Sequence, residues 1–163
     1  MGFVVTGCNR EGHTSTSREG MDLTVAGLDY KVQLARILNR FDSEDRPYLG
    51  ELPAPLKGVG YLGVFIRISN HGNRTQVPTN DFSVVDTQGV RYRPVRVDTV
   101  YAYRAEPIPP DEQWPPVDST ADVGPTAGAE LLFKIQLASV SDDPLVLEIP
   151  DHGKNRGEIY LDI

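Results

Sequence analysis

Hydrophobic and polar residues alternate along several short segments of the chain, which is the period of β-strands that bury one face. The clearest alternation lies in residues 61–70, where one face carries four apolar side chains: Leu62, Val64, Ile66 and Ile68. Asn70-His-Gly-Asn73 follows and supplies residues that tolerate a positive φ, so we expect the strand to end there.

The same period predicts further strands on both sides of this one. Residues 23–38 are expected to form one long strand or two, because β-branched and aromatic residues are frequent and no capping residue introduces a helix. Residues 82–92 predict a hairpin with its turn at Asp86-Thr-Gln-Gly89. Three later segments show the pattern again: residues 131–137, 145–149 and 158–163.

Proline and glycine divide these strands with long irregular segments. Residues 41–58 predict a loop. Residues 105–129 are irregular and rich in proline, and we call the wider segment 93–128 the proline-rich loop. Short strands with turns between them, and no long amphipathic helix, predict an all-β protein, an antiparallel immunoglobulin-like β-sandwich with a long Pro-rich loop. The strand spacing is also compatible with a small barrel.

The length of 163 residues fits one domain. Residues 1–20 are polar and rich in Gly, Ser and Thr, which predicts a disordered tether, so that the sandwich comprises residues 21–163. The net charge of −7 argues against nucleic acid as a partner and against an anionic membrane surface, because both attract cationic proteins. No apolar stretch approaches the roughly 20 residues of a membrane span.

Chemical motifs are scarce. The three histidines, His13, His71 and His152, lie in separate polar turns and show no metal-ligand spacing. Nucleophile-elbow, Walker and dinucleotide-binding glycine motifs do not occur in the sequence. We therefore expect no enzyme, no catalytic residue, no metal and no cofactor.

Three stretches, in this order, resemble a known bacterial family: LKGVGYLGVFIRISNHGN, TNDFSVVDTQGVRYRPV and GPTAGAELLFKIQLASVSDDPLVLEI. They are similar to the extracellular domain numbered four-three-five-two in the domain-of-unknown-function series, over residues 22–150. Members of that family are typically secreted or lipid-anchored proteins of Gram-positive bacteria, similar in fold to a mycobacterial secreted immunoprotective antigen. The resemblance implies an extracytoplasmic immunoglobulin-like sandwich, and it says nothing of the role of the proline-rich loop.

Cys8 is the only cysteine, and it follows Val5-Thr6-Gly7 as in the pattern that ends bacterial lipoprotein signals. Such a signal needs a charged region and an apolar core, which Met1 to Gly7 do not supply. The hypothesis of lipidation at Cys8 therefore requires that the true start lies upstream. The equally weighted alternative is a cysteine without a role near a disordered terminus.

The most distinctive surface candidates are Val100-Tyr-Ala-Tyr-Arg104 and Trp114-Pro-Pro116. Aromatic residues and arginine are enriched at binding hot spots, and proline reduces the entropy lost on contact. We therefore name four candidate partner-binding residues: Tyr101, Tyr103, Arg104 and Trp114. The alternative is that these aromatic rings only cover a flank of the sandwich.

The sequence thus predicts a non-enzymatic domain, anchored to the cell membrane through Cys8 or secreted, that binds an unknown envelope protein or ligand. The alternative is a periplasmic or surface module that binds a small ligand or cation through acidic loops. The acidic loops include Asp42 with Glu44-Asp45, which we expect to be solvated charges. Residues 151–158 resemble a calcium loop, but Gly153 and Arg156 occupy positions that need an oxygen ligand and a glycine.

Overall fold

The computed structural model describes residues 12–163, and in this part of the chain two β-sheets pack face to face. The predicted all-β sandwich is confirmed. The strands are β1 (Thr14–Arg18), β2 (Asp22–Val25), β3 (Leu28–Leu38), β4 (Val59–Ser69), β5 (Ser83–Val85), β6 (Arg91–Tyr92), β7 (Gln113–Trp114), β8 (Ala129–Gln136), β9 (Val146–Pro150) and β10 (Arg156–Tyr160). Two short helices, α1 (Arg46–Leu49) and α2 (Leu137–Ser141), accompany them.

The first sheet has the strand order β1-β10-β9-β5-β6, and the second has the order β2-β3-β4-β7 with β8 also paired to β4. The pairing is antiparallel except between β1 and β10, which run parallel. Because β-strands bury alternate side chains, the main core fills the space between the sheets. Its largest side chains include Phe82, Phe133 and Ile66.

Strand β4 is buried on both of its faces, which is more than its alternation predicted. Leu62, Val64 and Ile66 lie in the main core, as expected from the period. Tyr61 and Phe65, on the opposite face, lie in a second buried cluster outside the sandwich interior. The residues that cover this second face come from α1 and from the proline-rich loop.

The predicted hairpin is confirmed in β5 and β6, and the side chain of Asp86 fixes its turn. Oδ1 of Asp86 accepts hydrogen bonds from the N–H groups of Gln88 at 3.0 Å and Val90 at 2.8 Å. Oδ2 accepts a bond of 2.7 Å from the hydroxyl of Ser139. Gly89 follows with φ of 82°, a conformation that glycine adopts without steric cost.

The prediction of a tether over residues 1–20 is wrong for its second half. Residues Thr14–Arg18 form β1, which pairs in register with Arg156–Tyr160 of β10. Glu19 continues the contact, because its N–H donates to the carbonyl of Tyr160 at 2.9 Å. Composition misled the prediction, since an edge strand is held by backbone hydrogen bonds and needs few apolar side chains. Residues 1–11, including Cys8, lie outside the described residues.

Neither helix within residues 12–163 has the length and apolar character to cross a membrane.

Candidate functional site

The proline-rich loop is bound to the edge of β8 by backbone hydrogen bonds at two places. The N–H of Val95 donates to the carbonyl of Leu132 at 2.6 Å. Further along, Tyr103 donates its N–H to the carbonyl of Glu130, and Glu130 donates its own N–H to the carbonyl of Tyr101, both at 2.8 Å. The loop follows β6 and leads into β8, so its first part is already bonded to the strand that it later enters.

The ring of Tyr101 holds the first part of this loop against the outer face of the second sheet. Its centroid lies 4.5 Å from that of Tyr48, which in turn lies 4.9 Å from the centroid of Phe65. We call these three rings the tyrosine cluster. The hydroxyl of the fully buried Tyr48 accepts a hydrogen bond of 2.8 Å from the N–H of Thr126, near the end of the loop.

Tyr103 packs in the other direction, against the main core. Its ring stands at 89° to that of Phe82 with centroids 5.2 Å apart, and its hydroxyl donates to the carbonyl of Thr79 at 2.7 Å. Burial raises the pKa of this phenol well above its usual range, so it stays protonated. The rings of Tyr101 and Tyr103 thus hold the loop in place.

Trp114 and Arg104 lie together at a surface groove that the loop forms. Trp114, Val100 and Ala102 line two adjoining cavities of about 450 and 210 Å³. We call this surface the Trp114 groove. The other residues that line it are Asp98, Thr99, Arg104, Pro115, Pro116, Ser119, Thr120, Ala121 and Ala129.

The groove combines an apolar floor with an exposed rim that carries both apolar and charged side chains. Trp114 is partly buried against the main core and its backbone pairs with Ile68 of β4, so the indole has a defined position. Val100 is 73% exposed at the rim. Arg104 lies 3.5 Å from Asp98, and both side chains are well exposed, so this ion pair contributes little to stability.

Of the four candidate binding residues, the structure therefore brings Arg104 and Trp114 together, while the partly buried rings of Tyr101 and Tyr103 pack against the two core clusters. The sequence left two interpretations open for these aromatic residues, partner binding and coverage of the sandwich. The rings of Tyr101 and Tyr103 cover the sandwich, and the indole of Trp114 lines a groove. Binding of a partner by these residues stays a prediction.

Sequence reasoning missed Glu130, a carboxyl group buried beneath the proline-rich loop. The residue is 2% exposed, and neither carboxyl oxygen has a hydrogen-bond partner within residues 12–163. Burial raises the pKa of Glu130 to about 8. It lies opposite Phe65 in the pairing of β4 with β8. The sequence around Glu130 does not indicate that this carboxyl group is buried, because the residues that cover it are distant in sequence.

The acidic loops give no support to a cation site. Asp45, predicted as a solvated charge, is 2% exposed, so that prediction was wrong. Its carboxylate forms an ion pair with Arg36 and accepts a bond of 2.7 Å from the N–H of Asn39. The hydrogen bond to Asp45 raises the pKa of Arg36. In the described part of the chain, no group of three or more His, Cys, Asp or Glu residues could hold a metal ion.

No protein-family model matches the chain, and no curated protein matches it. Among solved structures it is similar to the secreted protein MPT63 of Mycobacterium tuberculosis, with 14% identity, a TM-score of 0.57, and coverage of 94% of this chain and 100% of that one. An uncharacterized β-sandwich protein of Clostridium difficile shares 14% identity with a TM-score of 0.54, over 93% and 97% of the two chains. The candidate lipoprotein YcdA of Bacillus subtilis shares 12% identity with a TM-score of 0.51, over 86% of this chain and 38% of that one.

At these identities the likeness shows the fold alone. The predicted similarity in fold to a mycobacterial secreted protein is confirmed.

Proposed function

We propose that this chain is a non-enzymatic, extracytoplasmic interaction domain that binds a partner protein through the Trp114 groove. The observation that carries the proposal is the position of Trp114, whose ring packs against the core and lines an open groove. Tryptophan and arginine are, with tyrosine, the side chains enriched at the energetic centre of protein interfaces.

The way the proline-rich loop is held makes it suited to binding. A flexible loop loses conformational entropy when it contacts a partner, and this loss subtracts from affinity. Here the tyrosine cluster and the backbone bonds to β8 order the loop in advance. The free protein therefore holds the backbone that carries Val100 and Arg104 in place beside the packed ring of Trp114.

The extracytoplasmic location is part of the same proposal. One similar structure is that of a secreted protein, and another is that of a candidate lipoprotein. The resemblance to the bacterial extracellular family numbered four-three-five-two points to the same location. Cys8, with Val5-Thr6-Gly7 before it, is the proposed site of the lipid anchor.

The interaction can be tested by photo-crosslinking in the source cells. A benzophenone amino acid at position 100, at the rim of the groove, is expected to give a discrete adduct with one protein. The matched control is the same substitution at Val77, which is 63% exposed and is not among the residues that line the groove. Adding Trp114→Ala is expected to weaken the adduct about tenfold or more, because hot-spot truncation costs at least 2 kcal/mol.

Equal adducts from positions 100 and 77, or an adduct at position 100 that survives Trp114→Ala unchanged, would show that the groove is not the binding surface.

The anchor has its own test, which is independent of the groove. The protein expressed from its full upstream region in source cells is expected to carry diacylglycerol on an amino-terminal Cys8 and to partition with membranes. Each buried CH₂ of an acyl chain contributes about 0.8 kcal/mol, so two or three chains suffice to hold a domain at a membrane. Cys8→Ala is expected to release the protein. An unmodified chain that begins at Met1 would contradict the anchor, as measured by intact mass.

A further inference from the structure

A cleft on the outer face of the first sheet collects positive charge in a chain that is acidic overall. Four cationic side chains line a cavity of about 180 Å³: Arg91, Arg93, Lys154 and Arg156. Two acidic side chains, Asp81 and Glu148, share the lining, and Glu158 pairs with Arg156 beside it, so the positive charges exceed the negative ones by one. The whole chain carries a net charge of −7, so this local excess of cations runs against its composition.

Two of the arginines are held in place by glutamates of the sheet. Arg91 donates through Nη1 to Oε2 of Glu148 at 2.5 Å and to the hydroxyl of Ser83 at 2.9 Å. Arg156 donates through Nε to Oε1 of Glu158 at 2.8 Å. The side chains of Glu148 and Glu158 are each 14% exposed and lie directly opposite one another in the pairing of β9 with β10. The arginines therefore offset a repulsion between two like charges.

These bonds leave much of the donor capacity of the cleft free. A guanidinium has five N–H donors, and the bonds within residues 12–163 use one nitrogen of each arginine: Nη1 of Arg91, Nη1 of Arg93 and Nε of Arg156. Lys154, in the turn before β10, adds an exposed ammonium group. Ser83, Glu148 and Glu158 thus hold the guanidinium groups of Arg91 and Arg156, and the other nitrogens of these groups form no hydrogen bond within residues 12–163.

We propose that this cleft binds a phosphate group. Guanidinium groups match the oxygen geometry of phosphate with paired N–H donors, and several of them can share one tetrahedral anion. The cavity has the volume of several water molecules, each of which occupies about 30 Å³ in the liquid, so a phosphate group fits. The phosphate can belong to free inorganic phosphate or to a phosphodiester polymer, since both present the same oxyanion.

The test is a titration followed by NMR of the arginine side-chain N–H signals, with the full chain at constant ionic strength. Inorganic phosphate is expected to shift the signals of Arg91, Arg93 and Arg156 in a saturable way. The variant Arg93→Gln with Lys154→Gln is expected to bind at least about tenfold more weakly. It retains the arginines that face Glu148 and Glu158, and the partner of Arg93 is the exposed Asp81, so the fold is expected to persist.

The matched control removes two positive charges elsewhere, by Lys57→Gln with Arg74→Gln, both exposed residues that do not line the cleft. It is expected to bind phosphate as the parent chain does. A glycerol-phosphodiester oligomer that binds at least about tenfold tighter than inorganic phosphate would identify a polymer as the ligand, and equal or weaker binding would identify the free anion. Equal losses in both double variants, acetate binding as tight as phosphate, or no saturable shift would each overturn the proposal.

Discussion

Replacement of Glu130 by glutamine is expected to stabilise the protein at neutral pH, by on the order of 3 kcal/mol at pH 7. Burial raises the pKa of this carboxyl from 4.5 to about 8, because neither oxygen has a partner within the described residues to favour the charged form. Each pKa unit corresponds to about 1.4 kcal/mol. Glutamine has nearly the same shape and carries no charge, so it avoids the cost of burying a carboxylate.

The effect has a defined dependence on pH. Between the unfolded pKa of 4.5 and the folded pKa of about 8, the folded state binds more protons at Glu130 than the unfolded state does. The free energy of unfolding therefore falls as the pH rises through this window. The advantage of Glu130→Gln is expected to be near zero at pH 4, to grow with pH, and to level off above pH 8.

Urea unfolding of the parent chain and the variant at several pH values measures this difference. Glu51→Gln, at an exposed carboxylate, is the control and is expected to change stability by less than about 0.5 kcal/mol at every pH. If Glu130→Gln were no more stable than the parent at pH 7 and above, then the carboxylate must be solvated or paired in solution.

Truncation of Tyr48 to alanine is expected to cost about 3 to 5 kcal/mol, the range observed for large buried aromatic side chains. Tyr48 is fully buried and contacts both Phe65 and Tyr101, so its loss leaves a cavity between the second sheet and the proline-rich loop. The hydrogen bond to Thr126 is lost as well. Denaturant unfolding measures the cost, and amide exchange within residues 97–126 is expected to accelerate more than exchange in β9 and β10.

Two further variants separate the loss of ring packing from the loss of the hydrogen bond to Thr126. Tyr48→Phe keeps the rings in contact and removes only the hydroxyl that pairs with Thr126, so it is expected to cost about 1 to 3 kcal/mol. Tyr160→Ala removes a tyrosine that is 40% exposed and is expected to cost less than Tyr48→Ala. A cost for Tyr48→Ala no larger than that for Tyr160→Ala would mean that the tyrosine cluster does not hold the loop.

The sequence predicted the sandwich because strand period and turn residues are local properties. The face of Leu62, Val64 and Ile66 followed directly from the alternation in β4, and the turn at Asp86 followed from its residue types. The second buried face of β4 did not follow, because Tyr48 and Tyr101 reach it from segments far away in the chain. β1 was missed because backbone bonding to β10 leaves little trace in side-chain composition.

Only part of the arrangement of the candidate binding residues follows from the sequence. Residue type alone marked four possible binding residues, but it could not say which side chains turn inward. Tyr101 and Tyr103 pack against the core clusters, whereas Trp114 and Arg104 share a groove, and this division depends on how the loop crosses the edge of β8. Glu130 and the arginine cleft depend on contacts between distant strands, so neither could be seen before the fold was known.

The most direct test of a groove presented in a fixed arrangement is native-state hydrogen exchange of the backbone amides of Tyr103 and Thr126. Both N–H groups are bonded within the folded protein, to the carbonyl of Glu130 and the hydroxyl of Tyr48 respectively. They are expected to exchange only on global unfolding, with the same opening free energy as the amides of β8. Exchange of both amides far faster than that of β8 would show that the proline-rich loop opens on its own, and the groove would not be preformed.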